Sequence, residues 1–239
     1  MSDSTLPIEE VLTSIRADDP HYPLTSLVCI ENTHNVMGGV PLKKSYIDEL
    51  KAAIAPHNIP LHIDGARIFN ASVALGESVG DLCSSADSVS ICLSKGLGTP
   101  LGSVLVGSEE LIAKAKRSRK SLGGGMRQAG VVAAAGIYAL ENNVERLALD
   151  HERASFLCDT LINAGYVVPK RSQTNLLFFG LPEGAKLSLD ELVDRLKVEN
   201  NVLIGGGYTG GTMCRAALHK FVSDEDIEEA ANAMADMLQ

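Results

Sequence analysis

Leu61-His62-Ile63-Asp64-Gly65-Ala66-Arg67 reads as a short apolar strand that stops on a carboxylate and turns through glycine. Cys92-Leu93-Ser94-Lys95-Gly96-Leu97-Gly98 repeats the arrangement, with a strand at 89–93 running into a lysine instead. Outward from these two stretches, strand-like and helix-like periods alternate. A strand is predicted at 27–30. Tyr46, Ile47, Leu50 and Ile54 then recur at helical spacing until Pro56 and Asn58 stop them. A further strand is predicted at 104–106, and helices at 109–121 and 128–141. Such alternation makes an α/β layer with a largely parallel sheet. Open sheets of that kind bind ligands beyond the carboxyl ends of their strands. Asp64 and Lys95 stand at two such ends, one connection apart, facing one crevice.

After Asn142-Asn143 the elements become shorter. A long helix places Leu147, Ala154, Leu157 and Leu161 on one face and is capped by Gly165. Strands are predicted at 175–179, 202–204 and 213–218, a helix at 189–198, and a last helix from Ser223, with Asp226 three residues on as a capping partner. This reads as a large α/β domain over residues 1–143 and a small α+β domain over 144–239.

Of the 239 residues, 45% are hydrophobic and 21% charged, which excludes a collagen, a disordered tail and a disulfide scaffold. Lys and Arg number 21 against 30 Asp and Glu, so the net charge of −9 lacks the basic footprint of a nucleic-acid or anionic-membrane binder. The five cysteines form no C-x-x-C pair and no zinc spacing. They read as reduced thiols buried as small hydrophobes, as in Val28-Cys29-Ile30, and suit a reducing compartment. The start, Met1-Ser2-Asp3-Ser4, has no basic-then-apolar leader pattern. The apolar stretch 129–140 is too short to span a bilayer and reads as a buried helix. A soluble, cytoplasmic protein is expected.

Taken alone, Asp64 either caps the next helix, pairs with Arg67 or serves a ligand. Lys95 is either a surface lysine near a turn or an amine held in a dry pocket, where it deprotonates easily and can form a Schiff base. Together they make the pattern of a pyridoxal phosphate site, with lysine on the aldehyde and carboxylate on the pyridinium nitrogen. Gly123-Gly124-Gly125-Met126-Arg127-Gln128 precedes a helix, and its bare amides with Arg127 suit a phosphate. It is not a P-loop, and Gly96-Leu97-Gly98 is a poor dinucleotide fingerprint because Pro100 interrupts the helix start. The basic run Lys114, Lys116, Arg117, Arg119, Lys120 reads as a solvated helix face, with Lys120, nearest the glycines, as the exception. Arg215 lies in an apolar strand and needs an anion: a ligand carboxylate, or an internal Asp or Glu.

The strings Glu31-Asn32-Thr33-His34-Asn35, HIDGARIFNA (62–71), CLSKGLG (92–98) and GGGMRQAG (123–130) closely resemble those of the L-threonine aldolases. These are fold-type-I pyridoxal-phosphate enzymes, grouped with the aromatic amino-acid β-eliminating lyases. The resemblance runs through nearly the whole chain. It implies a partial PLP-dependent transferase-like large domain with a mainly parallel sheet, followed by the small α+β domain. It implies Lys95 as the Schiff-base lysine, Asp64 on the pyridine nitrogen, Arg67 near the ring hydroxyl, and Lys120 and Arg127 near the phosphate. Arg215 would grip the substrate carboxylate. His21, in Asp18-Asp19-Pro20-His21, would lie near the substrate side chain as a base or water-positioner, or as a plain hydrogen-bonding histidine.

The implied reaction is retro-aldol cleavage of L-threonine or L-allo-threonine to glycine and acetaldehyde, with no metal. Family chains normally begin upstream of this Met1. Their phosphate-cupping Gly/Thr loop, a ring-stacking histidine and some central strands therefore fall outside these residues. The implied partners are further copies, as a dimer or tetramer, or a full-length homologue. The alternatives are a non-catalytic truncated homologue, or another PLP-dependent amino-acid lyase or transaminase.

Overall fold

In the computed structural model, which describes residues 3–238, strand β1 (Val28–Glu31) buries Val28 and Ile30 and turns Cys29 outward. Met1 and Ser2, where the leader reading begins, lie outside the described residues. Alternation of this kind belongs to a strand with one packed face. It corrects the expectation of buried thiols: Cys29 is exposed because it lies on the outward face of β1, Cys83 and Cys92 are half-buried, and Cys158 and Cys214 are buried.

After the short helix α1 (Ile8–Thr13) and β1, helix α2 (Lys44–Ile54) buries Ile47, Leu50 and Ile54 completely, three residues on one face. A turn through Pro56 ends it, with Asn58 in the left-handed region at φ 55°. Strand β2 (Leu61–Asp64) then buries Leu61 and Ile63 and leaves Asp64 exposed. Helices α3 (Ile68–Leu75) and α4 (Val79–Cys83) lead to β3 (Ser88–Cys92) and β4 (Ser103–Gly107). The sheet order is β1-β2-β3-β4. The first two pairings are parallel, with Glu31 beside Asp64 and Asp64 beside Ser90, and the β3–β4 pairing is antiparallel. Ile47, Leu50, Ile54, Leu61, Ile63, Ile68 and Leu82 form its core.

The chain divides into two compact units. The first takes the residues up to His34 and Val40–Glu145, the second Asn35–Gly39 and the residues from Arg146 on. The first unit closes with α5 (Glu109–Ser121) and α6 (Gly130–Asn142). Helix α6 starts two residues later than expected because Gln128 sits at φ 50°, outside helical space. Nor is it a buried helix: Gly136 and Ala139 are buried, whereas Val131, Ile137 and Tyr138 are exposed.

In the second unit, α7 (Leu147–Ala164) buries Leu147, Ala154, Leu157, Cys158 and Leu161 and is closed by left-handed Gly165. The remaining elements are β5 (Leu176–Phe179), α8 (Leu189–Asn200), β6 (Gly205–Gly207), the kinked turn α9 (Tyr208–Gly211), β7 (Met213–Ala217) and α10 (Asp224–Asp236). The three strands form an antiparallel sheet in the order β5-β7-β6. Reciprocal Ser188/Glu191 and Ser223/Asp226 boxes start α8 and α10. The expected strand at 202–204 is absent: Asn201 caps α8 in the left-handed region and Val202 N–H bonds to Leu196, so pairing with β7 waits until Gly205. No helix among the described residues is long and apolar enough to cross a membrane.

His151, on α7, is half-buried, and burial pushes its imidazole down to about 4 against the opposing pull of Asp150. It is therefore neutral in the folded protein across the range where an unfolded histidine, near 6.5, takes up a proton. Stability is expected to fall as pH drops from about 6.5 through about 4, by at most about 3 kcal/mol, less whatever solvent screens. Denaturant melts at stepped pH should show this slope, and His151→Gln should flatten it.

Candidate functional site

Asp64 is the last residue of β2, and the chain turns at once. Gly65 N–H donates to Ser90 C=O at 2.8 Å. A Cβ at Gly65 would lie 3.0 Å from Ser90 O and 3.0 Å from Val89 Cγ1, so only glycine allows this close approach of β2 to β3. The Asp64 carboxylate accepts the Ala66 N–H at 3.1 Å, an Asx turn. This answers one of the sequence alternatives: α3 has Arg67 at its N-cap with no side-chain cap. Its remaining lone pairs face outward.

Lys95 follows β3, in a turn closed by Gly98 N–H to Lys95 C=O at 2.8 Å. Gly96 and Leu97 are buried, and Asn143 Nδ2 fixes Leu97 C=O at 2.7 Å. The Lys95 side chain is exposed in this chain, so the dry-pocket reading is corrected: the packed part of the turn is the glycine and leucine behind it. No hydrogen bond or ion pair reaches the Lys95 amine among the described residues. The sheet thus brings Asp64 and Lys95 to the carboxyl ends of neighbouring strands, and Arg67, half-buried, opens the helix that follows Asp64.

Lys120 and Arg127 flank the glycine loop. Lys120 lies over Gly125 so closely that a Cβ there would meet its Cδ at 2.5 Å and its Nζ at 3.1 Å. Gly124 N–H bonds to Arg119 C=O at 2.8 Å, which folds the loop onto the end of α5. Arg127 is exposed.

His21 is exposed, and its Nδ1 donates to Asp19 Oδ1 at 2.7 Å while its backbone N–H donates to the same oxygen at 2.8 Å. The two bonds hold the Asp19 carboxyl below its usual range, the backbone one contributing most. With Nδ1 committed, Nε2 of a neutral ring is the acceptor nitrogen.

Arg215 belongs to the second unit. Its Nη1 donates to Asn35 Oδ1 at 3.0 Å, and its guanidinium lies 4.6 Å from the centre of the Tyr208 ring. Tyr208 is held edge-on to Phe178, with ring centres 5.7 Å apart. The internal Asp or Glu partner offered by the sequence is not what it uses. A cavity of about 650 Å³ opens beside it, with Leu203, His219 and Phe221 in its wall, room for an amino-acid-sized molecule. Sequence reasoning missed Asn35 and Tyr208. Asn35 ends the string Glu31–Asn35, and only a contact across 180 positions gives it a task.

These residues fit pyridoxal 5′-phosphate. An exposed amine with no partner among the described residues suits its aldehyde, an exposed carboxylate suits a protonated ring nitrogen, and a basic loop of bare amides suits its phosphate.

Comparison with known proteins agrees with that chemistry. The family described as beta-eliminating lyase matches residues 1–183. A low-specificity L-threonine aldolase of Escherichia coli (strain K12) is 44% identical over 230 residues, covering 96% of this chain and 66% of its own. Low-specificity L-threonine aldolase 1 of Arabidopsis thaliana is 41% identical over 236 residues, covering 94% of this chain and 63% of its own. The chain thus spans about two thirds of the length of the curated relatives it matches. The threonine aldolase structure of Leishmania major superimposes with a TM-score of 0.81 at 19% identity, over 100% of this chain and 69% of that one. That likeness gives the expected fold class, α/β of fold type I. With its family pattern extending across residues 1–183 of 239, this chain belongs to the beta-eliminating lyases.

Proposed function

We propose that this chain carries the machinery for pyridoxal-phosphate-dependent retro-aldol cleavage of L-threonine or L-allo-threonine to glycine and acetaldehyde. The observation that supports it best is the placement of Asp64 and Lys95 at the carboxyl ends of adjacent parallel strands, both side chains exposed. The identity to named threonine aldolases supports the substrate.

Lys95 would hold the cofactor through its aldehyde carbon, Asp64 would keep the ring nitrogen protonated, and Arg67 would stand near the ring hydroxyl. Lys120 and Arg127 would neutralise the phosphate. The bound cofactor supplies an electron sink for the pair released at Cα. Arg215 binds the substrate carboxylate: one of its five N–H donors goes to Asn35, and the planar fork keeps others for a bidentate grip. His21 Nε2, directly or through a water, takes the β-hydroxyl proton. The Cα–Cβ bond then breaks, acetaldehyde leaves, and a proton delivered to Cα completes glycine.

The free thiols and acidic balance support a cytoplasmic setting, and the family likeness supports a homo-oligomer. A second reading, another pyridoxal-phosphate-dependent amino-acid lyase, is supported by the match to the beta-eliminating lyase family. The test is a visible spectrum with added pyridoxal phosphate, borohydride trapping, peptide mapping and an acetaldehyde assay. The aldolase reading expects the label on Lys95 and aldehyde from threonine. A folded, cofactor-loaded protein that releases none selects the second reading, and a label elsewhere removes Lys95 from its role.

A further inference from the structure

Asn35–Gly39 is a tight turn. His34 N–H donates to Val40 C=O at 3.0 Å across its base, and Gly38 N–H donates to Asn35 C=O at 3.1 Å within it. The turn belongs to the second unit, and a bond at each end fastens it there. Thr174, completely buried, donates its hydroxyl to Gly39 C=O at 2.7 Å. Asn35 Oδ1 accepts the Arg215 Nη1–H at 3.0 Å. Gly39 sits at φ 76°, and a Cβ on it would overlap Thr174 Oγ1 and lie 3.2 Å from Leu176 Cβ. Only glycine brings the backbone this close to the start of β5. Both fastenings share one face of the sheet. Side chains alternate along a strand, so Leu176 and Phe178 point the same way and Thr174 continues the series. Arg215 is the cross-strand partner of Phe178 and stands on that face too.

We propose that this turn is the positioning element of the carboxylate-binding arginine. Thr174 fixes Gly39, the narrow turn carries that constraint back to Asn35, and Asn35 holds Arg215. A free arginine side chain gives up many rotamers each time it grips an anion. One held in advance does not, and the saving appears as affinity. The residue type at 35 matters as much as the bond. A carboxylate there would hold the guanidinium as firmly and would also cancel its charge, whereas an amide holds it and leaves the charge for the ligand. Asn35 and Thr174 are thus positioning residues that act through Arg215. The inference rests on the proposed role of Arg215 at the substrate carboxylate.

Glycine is the probe, because it keeps the carboxylate and has no β-hydroxyl to cleave. Its dissociation constant on the cofactor-loaded protein is read by calorimetry, beside a denaturant melt. Asn35→Ala is expected to raise that constant about 10-fold and Asn35→Asp on the order of 100-fold, both with melts close to wild type. Thr174→Val is expected to raise it about 3-fold, and Thr174→Ser, which restores the hydroxyl, to return it to wild type. The KM for L-threonine should follow the same order while kcat changes by about 2-fold or less. A merely structural role predicts the reverse order at position 35, since Asp is the closer copy of Asn in shape. If Arg215→Ala leaves glycine binding unchanged, the reading of Arg215 is overturned and this proposal with it. If Arg215→Ala weakens binding but Asn35→Asp binds glycine as well as Asn35→Ala or better, the positioning role alone is overturned. A folded Thr174→Val protein with wild-type affinity also overturns it, and if that variant does not fold, the two Asn35 variants decide.

Discussion

Lys95→Ala should leave the protein folded and lower acetaldehyde release from L-threonine by on the order of 10³-fold or more, as loss of a covalent nucleophile does. The two halves of that expectation rest on different observations. The Lys95 side chain is exposed and makes no hydrogen bond or ion pair among the described residues, so truncating it removes almost no packing. Surface changes of that kind move stability by about 0.5 kcal/mol or less. The turn that carries it is held by Gly96, Leu97 and the Asn143 bond to Leu97, none of which the substitution touches. The chemistry has no such reserve, because in the proposed reaction Lys95 alone supplies the amine for the cofactor's aldehyde. The measurement is a coupled aldehyde assay beside a denaturant melt. An unchanged melt with lost turnover and lost borohydride label is the expected pair. Turnover retained in Lys95→Ala would remove this lysine from the reaction.

Asp64 and Lys95 were legible in the sequence because each ends a short apolar strand, and the end of such a strand in a parallel sheet is a fixed place. The strands themselves were legible for the same reason: Leu61 and Ile63, or Val28 and Ile30, are spaced for a single buried face. Helix α2 announced itself through Ile47, Leu50 and Ile54 and stopped where Pro56 and Asn58 required. What failed was set by contacts distant in sequence. Gln128 looks like a helix start until its left-handed backbone is seen, and Val202–Leu203–Ile204 looks like a strand until Val202 is found bonded to the end of α8. Apolar character at 129–140 reports that a surface is apolar, not that the same chain covers it, and α6 leaves much of it exposed.

The surroundings of Arg215 were less legible. Arg215 in an apolar strand demanded a partner, and the sequence offers many carboxylates, none of which it takes. Its neighbours are an amide from the segment after β1 and a ring from the kinked turn before β7, which no spacing rule connects. A neutral amide and a π face orient a guanidinium without cancelling its charge, which a carboxylate would do. That difference is what leaves Arg215 suited to an incoming anion.

Arg146→Met should destabilise the protein by about 3–5 kcal/mol, the range for removing one partner of a buried ion pair. Asp150 is completely buried in α7, and Arg146, at its N-cap, forks onto both carboxylate oxygens, Nη2 to Oδ1 at 2.7 Å and Nη1 to Oδ2 at 3.1 Å. With the arginine gone, the carboxylate stays inside without its two charge-assisted hydrogen bonds, and its burial cost is no longer fully offset. Arg146→Lys should fall between, because an ammonium restores charge but not the two-pronged geometry. The double variant Arg146→Met/Asp150→Leu should recover most of the loss, since it removes the charge that needed a partner, and the pair's coupling is what a double-mutant cycle measures. Denaturant melts of the four proteins decide it. A loss for Arg146→Met below about 1 kcal/mol, the scale of a surface pair, would mean that water reaches Asp150 once the arginine is absent and that the first turn of α7 opens readily.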